Sequence, residues 1–374
     1  MEMPTAAMST SKLMELPHDI LLNIFSRLPA ASLLQFQCVS KSSRDLVNDP
    51  ALTAMHVAAT NEHVDVEARV LSDSLFQYHF QFVSCGLLGF RCHDSDGKLG
   101  LYNPLRGEYL ELPLPEDGYS NCYGMGFDSV TSTHKIVHFF SRLHDVNHTR
   151  VGNVHVLGTS SWRRIPSVPR FCLISSESAY AYGNMHWLVE GNRIISFDFE
   201  KEEFGWTNPP HLNFPSESQI FLINLRGSIA LVDVSDENIE VEIWVYKEKK
   251  YWAKDYSLNF CCPREYRYSV GAWEHGIYIL IPYANKAPLY FTVVYYDLRC
   301  DSVRGTVPNE YWRQREEIHM FSYTGSLISL KKYDNLRTNN KKENVENERQ
   351  IMKKMKDNYL WNVSAITSYD VSVY

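Results

Sequence analysis

The sequence predicts an α+β protein: three short helices within residues 13–50, then an all-β domain over 80–338 built as a propeller of about six blades. Three observations predict it. Residues 15–50, ELPHDILLNIFSRLPAASLLQFQCVSKSSRDLVNDP, crowd leucine, isoleucine and phenylalanine between prolines. From residue 80 onward, short apolar runs alternate with Gly, Asp and Asn turn signals, and they recur at about 43 residues, inside the range of a propeller blade. Aromatic residues make up 13% of the chain, and these pack well on a pleated surface.

A chain of 374 residues accommodates two domains, or one large domain with an appendage. Its net charge of −7 argues against nucleic acid as the main partner, which requires a basic face. There is no apolar run long enough to span a bilayer, so no membrane association is expected. The opening MEMPTAAMSTSK has no charged start followed by an apolar core and does not read as a secretion signal. The expected location is therefore cytoplasmic, nuclear or both, and the glycosylation-type triplets at Asn147 and Asn362 are read as chance. The eight cysteines are scattered without a Cys-x-x-Cys pair, and are expected to be reduced, buried small hydrophobes.

The helical elements follow from the prolines. Residues 1–12 are expected to be a disordered N-terminal tail. Pro17 suits a first helical turn, where its missing N–H needs no partner, and HDILLNIFSRL then runs to Pro29, which blocks continuation. AASLLQFQCV and KSSRDLVN follow as second and third helices, the last stopped by Pro50. In the first helix Ile20, Leu21, Ile24 and Leu28 form one stripe, while Leu22 and Phe25 form another. So small a unit falls below the roughly 40 residues that fold without help, and a helix apolar on two faces needs two covers. One cover is the trio itself; the other is the rest of the chain or another protein. Residues 51–79 start helix-like, end mixed, and read as a connector.

The β elements follow from the turns. VSCGLLGFRCHDSDGKLGLYNP reads as a hairpin, two apolar runs around Asp96-Gly97, and LYNPLRGEYLELP adds a turn at Asn103-Pro104 and another strand. The shared template is an apolar run with Gly, a strand ending in Asp or Asn, a turn, then a strand bearing an aromatic. It returns in HKIVHFF with VGNVHVLGTSSWRRIP, in AYAYGNMHWLVEGNRIISFDFEKEEFGW, and in LINLRGSIALVDV with VEIWVYKEKKYWAKDYSL. VGAWEHGIYILIP with YFTVVYYDLRCDSVRGTV is another copy, and MFSYTGSLISLKKYD a partial last one. Residues 339–374 are a charged tail, with Ile351, Met352 and Met355 as a thin apolar edge.

Chemistry of the chain's own is not expected. His134, His138, His144, His148 and His155 cluster in sequence, but THKIVHFF reads as a strand, along which residues four apart lie about 13 Å from each other. HDSDGKLG would place Cys92 and Asn103 where a calcium loop needs carboxylates, so it is read as a turn. No metal site, cofactor or catalytic residue is assigned. No nucleophile elbow, P-loop or dinucleotide fingerprint is present, and without paired Cys-x-x-Cys there is no zinc-built RING.

The pattern Leu-Pro-x-Asp-Ile-Leu … Ile-x-x-Leu-Pro … Ser-Leu-Leu-x-Phe-x-Cys-Val-x-Lys-Ser, running from Leu16 to Pro50, resembles an F-box. That resemblance implies docking on a Skp-type adaptor and, through it, on the cullin and RING subunits of a ubiquitin ligase. It places Leu16, Pro17, Ile20, Leu21, Ile24, Leu28 and Pro29 at or near the adaptor, joined by Leu33, Leu34, Cys38 and Val39 from the second helix. Plant-type members usually carry Lys-Ser-Trp where this chain has Lys41, Ser42 and Ser43, so weaker adaptor binding is expected if that aromatic is a buried anchor. GLLGF with LYNPLRGEYLELP, VHVLGTSSWRRI, MHWLVEGNRIISFDFEKEEF and VEIWVYKE followed by Trp252 resemble the F-box-associated, kelch-like domain of plant F-box proteins.

Together these imply a non-catalytic substrate receptor that holds an unidentified target protein near a recruited enzyme. Candidate target loops are Pro113–Tyr123, Ser141–Gly152 and Asn208–Ser218, with no individual contact residue assigned. Two other classes stay open. One is a carbohydrate- or small-ligand-binding propeller using exposed Trp and Tyr as stacking platforms. The other is a propeller enzyme with carboxylates or histidines converging on its channel.

Overall fold

The computed structural model describes residues 15–59, 67–72, 78–92, 98–115, 119–141, 150–171, 173–210, 219–235, 240–259, 269–273, 276–283, 290–309, 318–336 and 361–362. Among the described residues four helices, rather than three, precede the strands: α1 (His18–Phe25), α2 (Ala30–Phe36), α3 (Lys41–Val47) and α4 (Pro50–Ala59). Pro17 and Pro29 stand immediately before α1 and α2, while Ser40 caps α3 by accepting the Ser43 N–H on its hydroxyl. Pro50 does not stop the third helix. It opens the fourth, as a residue with fixed φ and no N–H to satisfy does well at a first turn. No helix among the described residues is long and apolar enough to cross a membrane.

Five four-stranded antiparallel sheets follow, not about six. The first is β2 (Tyr78–Ser84), β3 (Leu87–Cys92), β4 (Leu99–Asn103) and β5 (Glu108–Glu111). The second is β6 (Tyr119–Asp128), β7 (Thr133–Ser141), β8 (Arg150–Val156) and β9 (Arg163–Arg164). The third is β10 (Leu173–Ala181), β11 (Asn184–Val189), β12 (Arg193–Asp198) and β13 (Glu203–Thr207). The fourth is β14 (Gln219–Leu225), β15 (Ser228–Ser235), β16 (Glu240–Lys247) and β17 (Tyr251–Asn259). The fifth is β18 (Ser269–Trp273), β19 (Gly276–Tyr283), β20 (Tyr290–Asp297) and β21 (Ser302–Asn309).

The sixth sequence unit supplies a single strand, β22 (Ile318–Tyr323). It pairs with β1 (Glu67–Ser72) from the connector, and β1 pairs in turn with β23 (Trp361–Asn362), giving a three-stranded sheet in the order β22-β1-β23. The first strands of the blades face one another around an axis, and β22 lies between β18 and β2. Each blade is a strand meander, so local turn chemistry decides its register. Cys85-Gly86, Tyr182-Gly183 and Arg226-Gly227 join first to second strands as two-residue turns with both φ positive. The run VSCGLLGF is thus broken at Cys85-Gly86 into two strands and is not the single run expected before Asp96-Gly97. The β3–β4 hairpin encloses Asp96-Gly97, which lie outside the described residues.

Third strands end in the same device three times. Asn103, Asp198 and Asp297 accept backbone N–H groups two residues on, with the residue four places later (Gly107, Glu202, Asp301) at positive φ. This is the Asp/Asn-turn part of the repeating template. Between blades, aromatic rings fill the wedge. Trp187 is fully buried, edge-on to Phe139 at 5.0 Å, and the Phe199 ring lies so close to Gly126 that any side chain there would collide with it. Trp162 and Trp252 each donate an indole N–H to a carbonyl of the preceding blade, those of Pro113 and Asn208, at 2.8 and 2.7 Å.

One buried ion network also links blades. Lys135 reaches Asp128 at 2.6 Å and Glu202 of the next blade at 2.7 Å. Burial works against the Asp128 charge, but hydrogen bonds from Lys135 and Thr131 outweigh it and hold the carboxyl at about 2. The histidines of THKIVHFF lie on a strand as read. His134, His138 and His155 are buried, and among the described residues no group of His, Cys, Asp or Glu is placed to hold a metal ion. His144 and His148 lie outside the described residues.

Candidate adaptor-binding surface

The helical module has an inside and an outside that run in parallel along α1. Leu21, Leu22 and Phe25 point inward and join Ala30, Leu33, Leu46, Val47 and Leu52 in one core, with the Phe25 and Phe36 rings 4.9 Å apart. Leu16, Ile20, Ile24 and Leu28, each four residues apart, line up on the opposite side with 38 to 45% of their surface exposed. Pro17 and Cys38 are exposed beside them, Val39 is 57% exposed, and Pro29 and Leu34 are half-buried.

Of the eleven residues expected at the adaptor, seven are exposed, Pro29 and Leu34 are half-buried with Leu34 packed against the module's core, and two are buried. Leu21 and Leu33 are 4% and 0% exposed, their apolar surface already covered within this chain. Leu21 belongs with Leu22 and Phe25, not with Ile20, Ile24 and Leu28. Spacing alone does not separate it from them, because a helix apolar most of the way round leaves no polar boundary to mark the division.

Position 43 is buried, the condition on which weaker adaptor binding is expected. Ser43 is 1% exposed, and its hydroxyl lies 2.7 Å from that of Ser40. It is an interior, hydrogen-bonded position of the α3 cap. The base of the module is closed by α4, whose buried His56 bonds the Leu28 carbonyl at 3.0 Å. Burial lowers the His56 pKa, with the Leu28 carbonyl acting in the opposite direction. His18, at the start of α1, meets Asp49 at 2.8 Å on the surface.

The module sits on one end of the ring. Leu105, in the turn between β4 and β5, and Leu327, beyond β22, both pack against the helical core. Turns between first and second strands and between third and fourth strands lie at this end. By the antiparallel alternation, second-to-third-strand loops and blade-to-blade connections lie at the other. The three candidate target loops are of the latter kinds, and residues 116–118, 142–149 and 211–218 of them lie outside the described residues. Among the described residues the exposed aromatics of the ring are Trp206 on β13 and Tyr251 on β17. Trp206 carries the Arg193 guanidinium 4.6 Å above its ring.

Comparison with known proteins agrees with this geometry. Residues 13–54 match the F-box domain, and residues 41–329, more than half of the chain, match the F-box associated beta propeller domain. The Arabidopsis thaliana F-box protein At3g07870 is 26% identical over 308 residues, covering 67% of this chain and 74% of that one. F-box protein At1g47340, also from Arabidopsis thaliana, is 25% identical over 360 residues, covering 78% and 75%. Among solved structures the Dos1 propeller aligns at a TM-score of 0.32 and 14% identity over 58% of this chain and 56% of that one, too remote to bear on the fold.

Proposed function

The chain belongs to the family of F-box proteins that carry an F-box-associated β-propeller, and from that premise we propose that it is the target-recognition subunit of a cullin–RING ubiquitin ligase. The helical module docks on a Skp-type adaptor, and the propeller holds a target protein by the loops at its far end. Target lysines are then kept near the recruited ubiquitin-charged enzyme, and the rate gain is one of proximity, with the chemistry supplied by the partner. In this reading the protein works in the cytosol or the nucleus.

One observation carries the proposal. Leu16, Ile20, Ile24 and Leu28 form an uncovered apolar row on an F-box whose other face is already packed. A contiguous row of large apolar side chains in water marks an interaction surface. Co-expression with a Skp-type adaptor, followed by pull-down, tests it with Ile20→Glu/Ile24→Glu as the comparison. Both side chains are exposed, so the variant should fold as the wild type does, and binding should fall by roughly a hundredfold or more, as for two residues at the centre of an interface. Equal capture of wild type and variant would remove the row from the interface, and no capture of the wild type would refute the ligase assignment.

A further inference from the structure

The degenerate last repeat has a specific use. After β22 the chain does not turn back into a second strand; residues 324–336 run instead as a strap across the end of the ring that bears the helical module. Blade one binds the strap along its backbone. Asn103 donates its side-chain amide to the carbonyls of Ser326 at 3.1 Å and Ile328 at 2.8 Å, and Arg106 Nε donates to that of Leu327 at 3.0 Å. The Glu108 carboxylate accepts the Leu330 N–H at 2.7 Å and the Ser329 hydroxyl at 3.1 Å. The two glycine turns meet as well, since a side chain at Gly86 would strike the Gly325 carbonyl.

Successive side chains of this strap then point to opposite sides. Ile328 and Leu330 enter the core of the ring, and Tyr333 packs against that core. Leu327, 3% exposed, enters the core of the helical module, and Lys332 donates to the Asn48 carbonyl at the end of α3 at 3.3 Å. The module's core is small, and a residue almost three hundred positions away in sequence completes it.

We infer that the strap is the clamp that orders the F-box and fixes it on the ring, with Leu327 a positioning residue for an adaptor surface it does not touch. The module precedes all five blades in the sequence and the strap follows them. An ordered adaptor surface therefore arises only in a chain whose ring has closed. A truncated or misfolded chain offers its apolar row on a fluctuating scaffold, and its apparent affinity falls by the fraction of molecules in which the helices are ordered.

Hydrogen exchange on the full chain tests this without any partner. In Leu327→Asp the amides of α1 and α2 should exchange at least tenfold faster, while those of β7 keep wild-type protection. Unchanged protection of α1 and α2 overturns the inference. If Leu327→Asp also exposes β7, then Leu327→Ala read at the same amides decides, a rise confined to the helices supporting the clamp and a uniform rise refuting it. The adaptor arm rests on the function proposed above. There Leu327→Ala should weaken binding of a Skp-type adaptor about tenfold, and equal affinity overturns the positioning role. A wild type that binds no adaptor would refute that function alone, leaving exchange to decide the clamp.

Discussion

The helical module and the ring of strands treat large apolar side chains in opposite ways. The module is small and has four apolar residues in a row on its surface, while among the described residues of the ring the exposed large apolar side chains are Leu114, Val130, Trp206 and Tyr251, each on a different strand, turn or connection. Isolated exposed apolar residues are ordinary on any soluble protein; a row at helical spacing is not. The ring's blades cover one another, and its apolar content is used in closing it. The module's inner face is covered by its own helices and by Leu327, so its outer row stays available to a partner.

The sharpest way to break the comparison is to open the ring. Trp187→Ala removes a fully buried indole from the wedge between blades two and three and should cost about 3–5 kcal/mol of unfolding free energy, read by denaturant titration. Adaptor binding per folded molecule should stay unchanged, since Trp187 lies in the ring core and not in that of the module. Loss of binding in molecules that remain folded would mean that Trp187 also holds in place the strap whose Ile328 and Leu330 share its core.

Acid provides a graded version. Burial holds His134 and His186 neutral, with pKa values lowered to about 4. A group with a lowered folded pKa contributes its stability above the unfolded value near 6.5 and loses it as pH falls toward 4. The ring should therefore lose up to ~3 kcal/mol per histidine across that interval. Thermal midpoints at pH 7 and pH 4.5 should draw together in His134→Gln/His186→Gln, because glutamine does not titrate. A gap as wide as in the wild type would assign the acid sensitivity to other groups, His56 among them.

Ser43→Trp comes next in size. By comparison with plant-type members this substitution would restore an anchor. In the structure the position is buried and its hydroxyl is paired with Ser40, so a far larger ring should overpack the module by about 1–3 kcal/mol and weaken adaptor binding. Tighter binding with unchanged stability would mean that the site is roomier than its packing indicates. The smallest expected effects sharpen the contrast most. Ile24→Ser and Val130→Ser each replace an exposed apolar side chain and should change stability by no more than about 0.5 kcal/mol, but only Ile24→Ser should reduce adaptor binding.

Much of this was legible in the chain itself. The prolines marked where α1 and α2 begin, and the Asp and Asn residues marked three strand-ending turns, because both signals act within a few residues. Pro50 was misread for an equally local reason, since the same ring that blocks one helix opens another. Leu21 could not be sorted from Ile20 and Ile24 by pattern, because sorting apolar neighbours on an apolar helix requires knowing what stands opposite each.

The sequence by itself determined the two kinds of unit, the helical start and the recurring meander, because periodicity and turn chemistry are properties of short stretches. Tertiary structure decided how many blades form, where the last unit goes and which face of α1 remains open. Those outcomes depend on partners distant in sequence: β1 pairing with β22, Asn103 and Glu108 holding the strap, and Leu327 filling the module. A single strand with a Gly turn carries the same local signal whether a second strand follows or not. Only the neighbour that takes up its backbone hydrogen bonds distinguishes a blade from a clamp.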